Sequence, residues 1–246
     1  ISIYMENKYL DFIYEKGYSK NDIAVSRLFR YLSYNYSCNK LYNDSILLNI
    51  KDNNKLKQAE SDIVITRIHE IFKTMYFESS KEYFLELHKY LFSDVYSFAG
   101  EYRTIEIYKQ ERVLAYESVE YAKPSEIDYQ LNEIFEILRN TDLLSLDIEM
   151  QKDFVTSLIS DLWKVHPFRE GNTRTWLVFL RTYLNSYDIK FDVNFFKHEN
   201  TYKYMRDALV ASAFESDIYE KEREYKYLRR IIGDIIELDQ ERKRKL

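Results

Sequence analysis

The stretch from His166 to Arg174 combines a histidine, a carboxylate, a glycine and an arginine within nine residues. His166 can accept a proton near neutral pH. Glu170 is a hard oxygen ligand of the kind that holds Mg²⁺ on substrate phosphates. Gly171 precedes an apolar helical pattern, and the N–H groups at a helix start bind phosphate well. Arg174 falls in the first turn of that helix, where a cation opposes the dipole unless a polyphosphate binds. The stretch is therefore predicted to be a phosphate-binding catalytic loop.

Two apolar helices must position this loop. The first has to end near Val165, because the residue before Pro167 avoids the helical region. The second begins near Asn172 or Thr173 and continues to about residue 187, with apolar side chains at helical spacing. Trp163 and Trp176 flank the loop at that spacing, and we expect both in the core.

The whole chain favours an all-α fold, since its 246 residues include only four glycines and two prolines. Helical periodicity predicts further helices over residues 63–75, 83–91, 144–165, 201–214 and 218–238, and another beginning just after Pro124. Residues 103–121 alternate apolar with polar side chains and predict a small β-hairpin. Residues 1–55 are interpreted as an N-terminal helical appendage, and residues 56–246 as the catalytic domain with its C-terminal helices.

Composition narrows the class of protein. Hydrophobic residues make up 46% and charged residues 31%, which is typical of a globular domain. No apolar run approaches the roughly 20 residues of a membrane-spanning helix, and the N-terminus lacks the pattern of a secretory signal, so we expect a cytoplasmic protein without a membrane partner. The net charge of -5, with both signs mixed, argues against nucleic-acid binding. A single cysteine excludes an internal disulfide and a cysteine-based zinc site.

The sequence His166-Pro-Phe-Arg-Glu-Gly-Asn-Thr-Arg174 resembles the signature of the Fic family, His-x-Phe-x-(Asp/Glu)-Gly-Asn-(Gly/Lys)-Arg. Residues 91–104 resemble the family's segment ahead of its β-hairpin flap, and residues 121–124 the segment after it. The likeness spans about residues 61–228. It implies a Fic-type helical domain with a small β-hairpin flap beside the active-site loop, and the activity of a protein adenylyltransferase.

The resemblance also implies roles for single residues. His166 would be the base that deprotonates a Ser, Thr or Tyr hydroxyl of a target protein, Phe168 would anchor the loop in the core, and Glu170 would bind Mg²⁺. The phosphates of ATP would be held by Gly171, Asn172, Thr173 and Arg174. The flap would receive the target as an added strand, through Val113, Leu114, Ala115, Tyr116 and Tyr121.

The sequence departs from the family pattern at positions in and just after the loop, one of which is linked to regulation in the family. Thr173 replaces Gly or Lys, which a helix start tolerates. Leu177 stands where many members carry a second arginine that contacts the γ-phosphate and pairs with a glutamate of an inhibitory helix. Arg181, one turn further on, either replaces that γ-phosphate contact or is a simple surface arginine.

The inhibitory motif itself, (Ser/Thr)-x-x-x-Glu-(Gly/Asn), is degenerate. The candidate in the N-terminal helical region runs from Ser33 to Asn39, with Ser37 where the glutamate would be. A second match, from Ser2 to Asn7 with Glu6, lies at the start of the sequence and is attributed to chance. We therefore hypothesise that no glutamate of this motif inhibits the enzyme.

Two alternatives to adenylylation stay open. A Fic-fold phosphotransferase would use another phosphate-containing donor, although Gly171-Asn172 differs from the Ala-Asn of the kinase-like branch. A non-catalytic nucleotide-binding module would keep the loop without turnover, although His166 and Glu170 are intact. The expected partners are ATP and a target protein with a modifiable hydroxyl, while the identity of the target, self-modification and homo-oligomer formation cannot be read from the sequence.

Overall fold

The computed structural model describes residues 45–74, 76–191, 199–216 and 221–245. Within these ranges the regular structure consists of helices, which confirms the predicted all-α class. The α-helices are α1 (Asn53–Thr74), α2 (Lys81–Phe92), α3 (Ile127–Asn140), α4 (Ile148–Val165), α5 (Asn172–Ser186), α6 (Glu199–Ala213) and α7 (Lys226–Arg244). Short 3₁₀ turns occupy Arg112–Leu114, Pro124–Glu126 and Leu143–Ser145. None of the helices described is long and apolar enough to cross a membrane.

The two helices beside the loop have well-defined ends. The Asp147 side chain caps α4 by accepting the Met150 N–H at 2.8 Å. The helix ends at Val165, and the next residue, His166, has a left-handed backbone with φ 49° and ψ 58°. Pro167, which follows, prevents continuation of the helix. Gly171, with φ 81°, turns the chain into α5. The loop therefore lies between two left-handed residues.

Helix α4 lies at the centre of the core and packs against α3, α5, α6 and α7, while α2 packs against α1, α3 and α5. The apolar side chains of α4 and α5 that the sequence assigned to the interior are buried, including Leu162, Phe179, Trp163 and Trp176. The prediction that both tryptophans are core residues is confirmed. The loop is thus held between two helices that cannot move without disrupting the core.

The predicted β-hairpin is wrong. Between residues 101 and 123 the structure has no strand, and its only regular element is the 3₁₀ turn Arg112–Leu114. Glu111 N–H donates to the Glu117 carbonyl, but Lys109 N–H donates to the Ser118 hydroxyl instead of a carbonyl, so no ladder develops. Ala115 and Tyr116 both have positive φ, at 52° and 68°. We call residues 105–120 the flap segment.

The last predicted helix begins later than expected, at Lys226 instead of residue 218. The chain before it is tied down by Arg223, which donates to the Ser212 carbonyl at 2.7 Å and pairs with Asp161 at 2.6 Å. Glu224 N–H also donates to the Ala211 carbonyl. These tertiary contacts hold residues 221–225 in a non-helical path that helical periodicity did not reveal.

The domain boundary proposed at residue 55 falls inside α1, which begins at Asn53. Residues 1–44 lie outside the described part of the chain, and with them Ser33, Ser37 and Asn39. The N-terminal appendage and its degenerate inhibitory motif therefore stay predictions.

Candidate active site

His166 is held in one tautomer. Its Nδ1 lies 3.2 Å from the Trp163 carbonyl, which can only accept, so Nδ1 carries the proton and Nε2 presents a lone pair. The Tyr121 ring packs 4.2 Å from the imidazole, and Trp163 meets it edge-on. Burial lowers the pKa of His166 well below its usual value, and the nearby Lys109 lowers it further. The imidazole is therefore neutral, as a general base has to be.

Phe168 fixes the middle of the loop. Its ring is fully buried and stacks on His88, with 3.7 Å between the ring centroids and 7° between the planes. His88 in turn bonds to the Glu170 carbonyl at 3.0 Å and accepts the Gly100 N–H at 2.8 Å. Burial lowers the pKa of His88 to about 4. No motif in the sequence marked His88, which supports the loop through its contacts with Phe168 and Glu170.

Asn172 closes the loop on itself. Its side-chain oxygen accepts the Phe168 N–H at 2.9 Å, and its amide donates to the Phe168 carbonyl at 2.6 Å. The side chain is thereby committed to the shape of the loop instead of to a phosphate. The N–H groups at the start of α5 precede its first intrahelical bond, from Thr175 N–H to the Gly171 carbonyl. The backbone N–H groups are therefore the donors that this helix start can offer to an anion.

Gly171 has no room for a side chain. A Cβ at this position would lie 2.5 Å from the nearest atom of the Phe92 ring, and the backbone φ of +81° is one that other residues rarely adopt. Both facts explain the glycine of the motif. The Gly171 backbone at the start of α5 also forms part of the wall of a cavity beside the loop.

That cavity has a volume of about 290 Å³. It is lined by residues 170–174, by Trp163 and His166, and by Lys109 and Arg206. The predicted base, metal ligand, glycine and arginine thus face one space. Three cations and one carboxylate surround it, which is a charge balance suited to a polyanion.

Glu170 lies at the helix start with 39% of its side chain exposed. Burial would raise its pKa, but Lys109, the Gly171 N–H and Arg174 together lower it. The carboxylate is therefore ionised. Among the described residues, no group of three or more His, Cys, Asp or Glu side chains is placed to hold a metal alone. Since Mg²⁺ commonly takes one or two carboxylates and completes its shell with phosphate and water, a lone Glu170 fits an ion that arrives with substrate phosphates.

Arg174 already has a carboxylate partner. Its guanidinium lies 2.6 Å from Glu60 Oε1 of α1 and 3.9 Å from Glu170. It also stacks over the Phe92 ring at 4.7 Å. No motif marked Glu60, which belongs to a helix remote from the loop in sequence. The arginine predicted to bind phosphate thus pairs with a glutamate outside the predicted inhibitory region.

Lys109 and Arg206 are further residues that sequence reasoning missed. Lys109 Nζ lies 3.2 Å from His166 Nε2. Arg206 pairs through two nitrogens, each at 2.8 Å, with the buried carboxylate of Glu111. Both cations come from elements distant in sequence from the loop, so no local signal could have identified them.

Arg103 organises the chain around the base. Its buried guanidinium donates to the carbonyls of His166 and Ile105, each at 2.8 Å, and to that of Ala122. Arg103 N–H also donates to the Pro167 carbonyl at 2.8 Å. The Arg103 side chain therefore links the end of α4 to Ile105, at the start of the flap segment, and to Ala122, just beyond its end. The residue lies in the stretch that resembles the family, but its type alone did not reveal this task.

The predicted docking residues separate in the structure. Leu114 is buried in the core and Val113 packs partly against it, whereas Tyr116 is exposed. Tyr121 packs on His166. Since the flap segment lacks a strand edge, docking of a target as an added strand is not supported by the structure.

Arg181 does not reach the loop cavity. It lies over the Phe72 ring at 3.6 Å and lines a different cavity beside Asp188 and Asp234. Leu177 packs against the core. The structure therefore gives Arg181 no part in the phosphate site.

The fold and the site define a helical domain in which one loop carries a buried histidine, a carboxylate and the start of a helix. Residues 78–184 match the model of the Fic/DOC family. Protein adenylyltransferase VbhT of Bartonella schoenbuchensis is 34% identical over 138 residues, which are 54% of this chain and 27% of that protein. Probable protein adenylyltransferase y4lH of Sinorhizobium fredii is 32% identical over 135 residues, 54% of this chain and 65% of that protein. Residues 78–184 of this chain belong to the Fic/DOC family. The match spans less than two thirds of either relative.

Solved structures share the fold. The N-terminal FIC domain of Bep8 from Bartonella sp. 1-1C has a TM-score of 0.60 at 20% identity, over 76% of this chain and 88% of that one. BepC from Bartonella tribocorum, with bound AMPPNP, has a TM-score of 0.59 at 18% identity over the same shares. At these identities the likeness is one of fold.

Proposed function

We propose that this protein is an adenylyltransferase, which transfers AMP from ATP to a Ser, Thr or Tyr hydroxyl of a target protein. The relatives named adenylyltransferases support this reaction class. Neighbours with bound AMPPNP and with bound ADP support a nucleotide as the substrate. The cavity beside the loop supplies the chemistry that such a substrate needs.

One observation carries the proposal. The Trp163 carbonyl holds the Nδ1 proton of His166, so Nε2 is the acceptor, and the same imidazole lines a cavity walled by the start of α5. A base and a set of phosphate-binding donors therefore share one small space. Holding both in place converts the transfer into a reaction between oriented groups, which is a large part of catalysis.

In the proposed reaction the target hydroxyl oxygen attacks the α-phosphorus of ATP. His166 Nε2 takes the hydroxyl proton as the new P–O bond forms. The bond from the α-phosphorus to the bridging oxygen breaks, and pyrophosphate leaves with the electron pair. The N–H groups at the start of α5 and the guanidinium of Arg174 stabilise the negative charge that develops. Mg²⁺ beside Glu170 would neutralise charge on the phosphates.

The test is to incubate the full chain with Mg²⁺ and either α-labelled or γ-labelled ATP, together with a cell lysate as a source of targets. Protein-bound label from the α position alone is expected. It should be lost in His166→Ala and retained in His69→Ala, which changes an exposed histidine of α1. Label from the γ position alone would show a phosphotransferase. No transfer from either position, with nucleotide still bound, would show a binding module.

A further inference from the structure

The ammonium of Lys109 covers the proton-accepting nitrogen of His166. His166 Nε2 is the only ring nitrogen with a lone pair, because Nδ1 is bonded to the Trp163 carbonyl. The ammonium of Lys109 lies 3.2 Å from Nε2, within donating distance. His166 is only 1% exposed although it lines the cavity. A hydroxyl cannot deliver its proton to Nε2 while Lys109 occupies this position.

Lys109 is held differently from the other two cations of the cavity. Arg174 pairs with Glu60, and Arg206 pairs with Glu111. Lys109 lies within 4 Å of no carboxylate of the described residues, and its charge acts on Glu170 only from a longer distance. Its hydrogen-bond partner at the cavity is the neutral imidazole. A phosphate oxygen is a much stronger acceptor for an ammonium than a neutral ring nitrogen, because both partners are then charged. Of the three cations of the cavity, Lys109 can therefore move its contact to a triphosphate at the lowest cost in free energy, because it gives up a hydrogen bond to a neutral ring and not an ion pair.

The backbone that carries Lys109 is anchored, so only its side chain has to move. Lys109 N–H donates to the Ser118 hydroxyl at 3.1 Å. The neighbouring Glu111 and Arg112 pair with Arg206 and Asp207 of α6, at 2.8 Å and 2.7 Å. The flexible four-carbon stem of lysine can change its contact without a change in this anchored segment.

We infer that Lys109 is a positioning residue with two contacts. Without nucleotide its ammonium caps Nε2 of His166. When a nucleoside triphosphate enters the cavity, the ammonium transfers to the phosphate oxygens and leaves Nε2 open to the target hydroxyl. The base is thereby uncovered only when the nucleotide is in place. The second contact rests on the proposed function, whereas the first concerns the nucleotide-free protein alone.

The first contact is tested by the reactivity of His166. Diethyl pyrocarbonate modifies unprotonated imidazole nitrogens, and peptide mass spectrometry separates His166 from His69 and His88. In nucleotide-free Lys109→Met, modification of His166 should be about tenfold faster than in the unmodified chain, as expected for loss of one hydrogen bond from a charged donor. Lys109→Arg should keep most of the protection.

Lys123→Met is the matched control, because Lys123 follows the flap segment and pairs with Glu126 at the surface. It should leave His166 at the original rate. Unchanged reactivity of His166 in Lys109→Met would overturn the inference. So would a parallel rise at the buried His88, since that result would mean a loosened loop and not an uncovered base.

The second contact is tested with AMPPNP and Mg²⁺. Calorimetry should show binding weakened about tenfold in Lys109→Met, less in Lys109→Arg and not at all in Lys123→Met. In the chain labelled with ¹⁵N-histidine, AMPPNP should move the Nε2 resonance of His166 towards its position in nucleotide-free Lys109→Met. Equal affinity in Lys109→Met, or a resonance that does not move in this direction, would overturn the inference.

These measurements need no turnover. Failure of the proposed transferase activity would appear separately, as absence of label from α-labelled ATP while the reactivity and binding results stand.

Discussion

Replacement of Glu60 by glutamine should increase the affinity of the site for a nucleoside triphosphate. In the proposed site, Glu60 and a substrate phosphate would compete for the guanidinium of Arg174, which lies 2.6 Å from the Glu60 carboxylate. A triphosphate that takes over Arg174 leaves Glu60 without its partner. The Glu60→Gln substitution would keep the shape of the side chain but remove the competing charge.

The magnitude follows from the surroundings of the pair. Glu60 is 12% exposed and Arg174 is 29% exposed, so the ion pair is partly screened by solvent. A mostly buried charged group that loses its partner costs roughly 1–3 kcal/mol. Because residual exposure reduces this cost, we expect a gain of about 1–2 kcal/mol in binding, or about 5- to 30-fold in Kd.

The assay is calorimetric titration of the full chain with AMPPNP in the presence of Mg²⁺. Glu70→Gln is the matched control, because Glu70 lies on the same helix but pairs at the surface with Arg67 and Tyr90. It should leave the affinity unchanged. AMP should gain less than AMPPNP from Glu60→Gln if Arg174 contacts phosphates beyond the first.

The reasoning is refuted if Glu60→Gln binds AMPPNP no more tightly than the unmodified chain while its thermal unfolding remains cooperative. Arg174 would then reach the phosphates without leaving Glu60, or would not contact them at all. A gain of equal size in Glu70→Gln would also refute it, since the effect would then reflect the net charge of the helix.

Three further predictions concern the stability of the loop. Gly171→Ala should lower the free energy of unfolding by about 2–5 kcal/mol, because a positive φ and a Cβ 2.5 Å from Phe92 both oppose the alanine; urea unfolding measures this, and Phe92→Leu should recover part of the loss. Arg103→Met should cost about 2–4 kcal/mol, again by urea unfolding, since several buried carbonyls lose their donor. His88, whose pKa falls from 6.5 to about 4 on folding, should cost roughly 3 kcal/mol of stability as the pH falls through that window.

The sign for His88 follows from proton binding. Between pH 6.5 and about 4 the unfolded chain binds a proton at this position and the folded chain does not, so stability rises with pH. His88→Gln should show a smaller decrease in the free energy of unfolding over this window. Equal slopes for the two proteins would contradict the assignment. For Gly171→Ala and Arg103→Met, a loss below about 1 kcal/mol would contradict the respective contact.

The helices and the loop could be predicted because their signals are local. Helical spacing of apolar side chains depends on residues three or four apart, and the chemistry of residues 166–174 is contiguous. Pro167 and Gly171 also impose backbone conformations wherever they occur. The hairpin was mispredicted for the same reason. Its short alternating pattern was a local signal, whereas the pairing of the buried Glu111 with Arg206 and the contacts of Arg103 decide the path of that segment.

The sequence by itself determined that this is a helical protein with a histidine, a carboxylate, a glycine and an arginine on one loop, and it predicted that this loop binds phosphate. Only the tertiary structure decided what surrounds these groups. Lys109 reaches His166 from 57 positions earlier in the chain, and Glu60 reaches Arg174 from a separate helix. Contacts of this kind depend on how the helices pack against one another. Local periodicity and residue spacing do not predict which distant side chains will then be in contact.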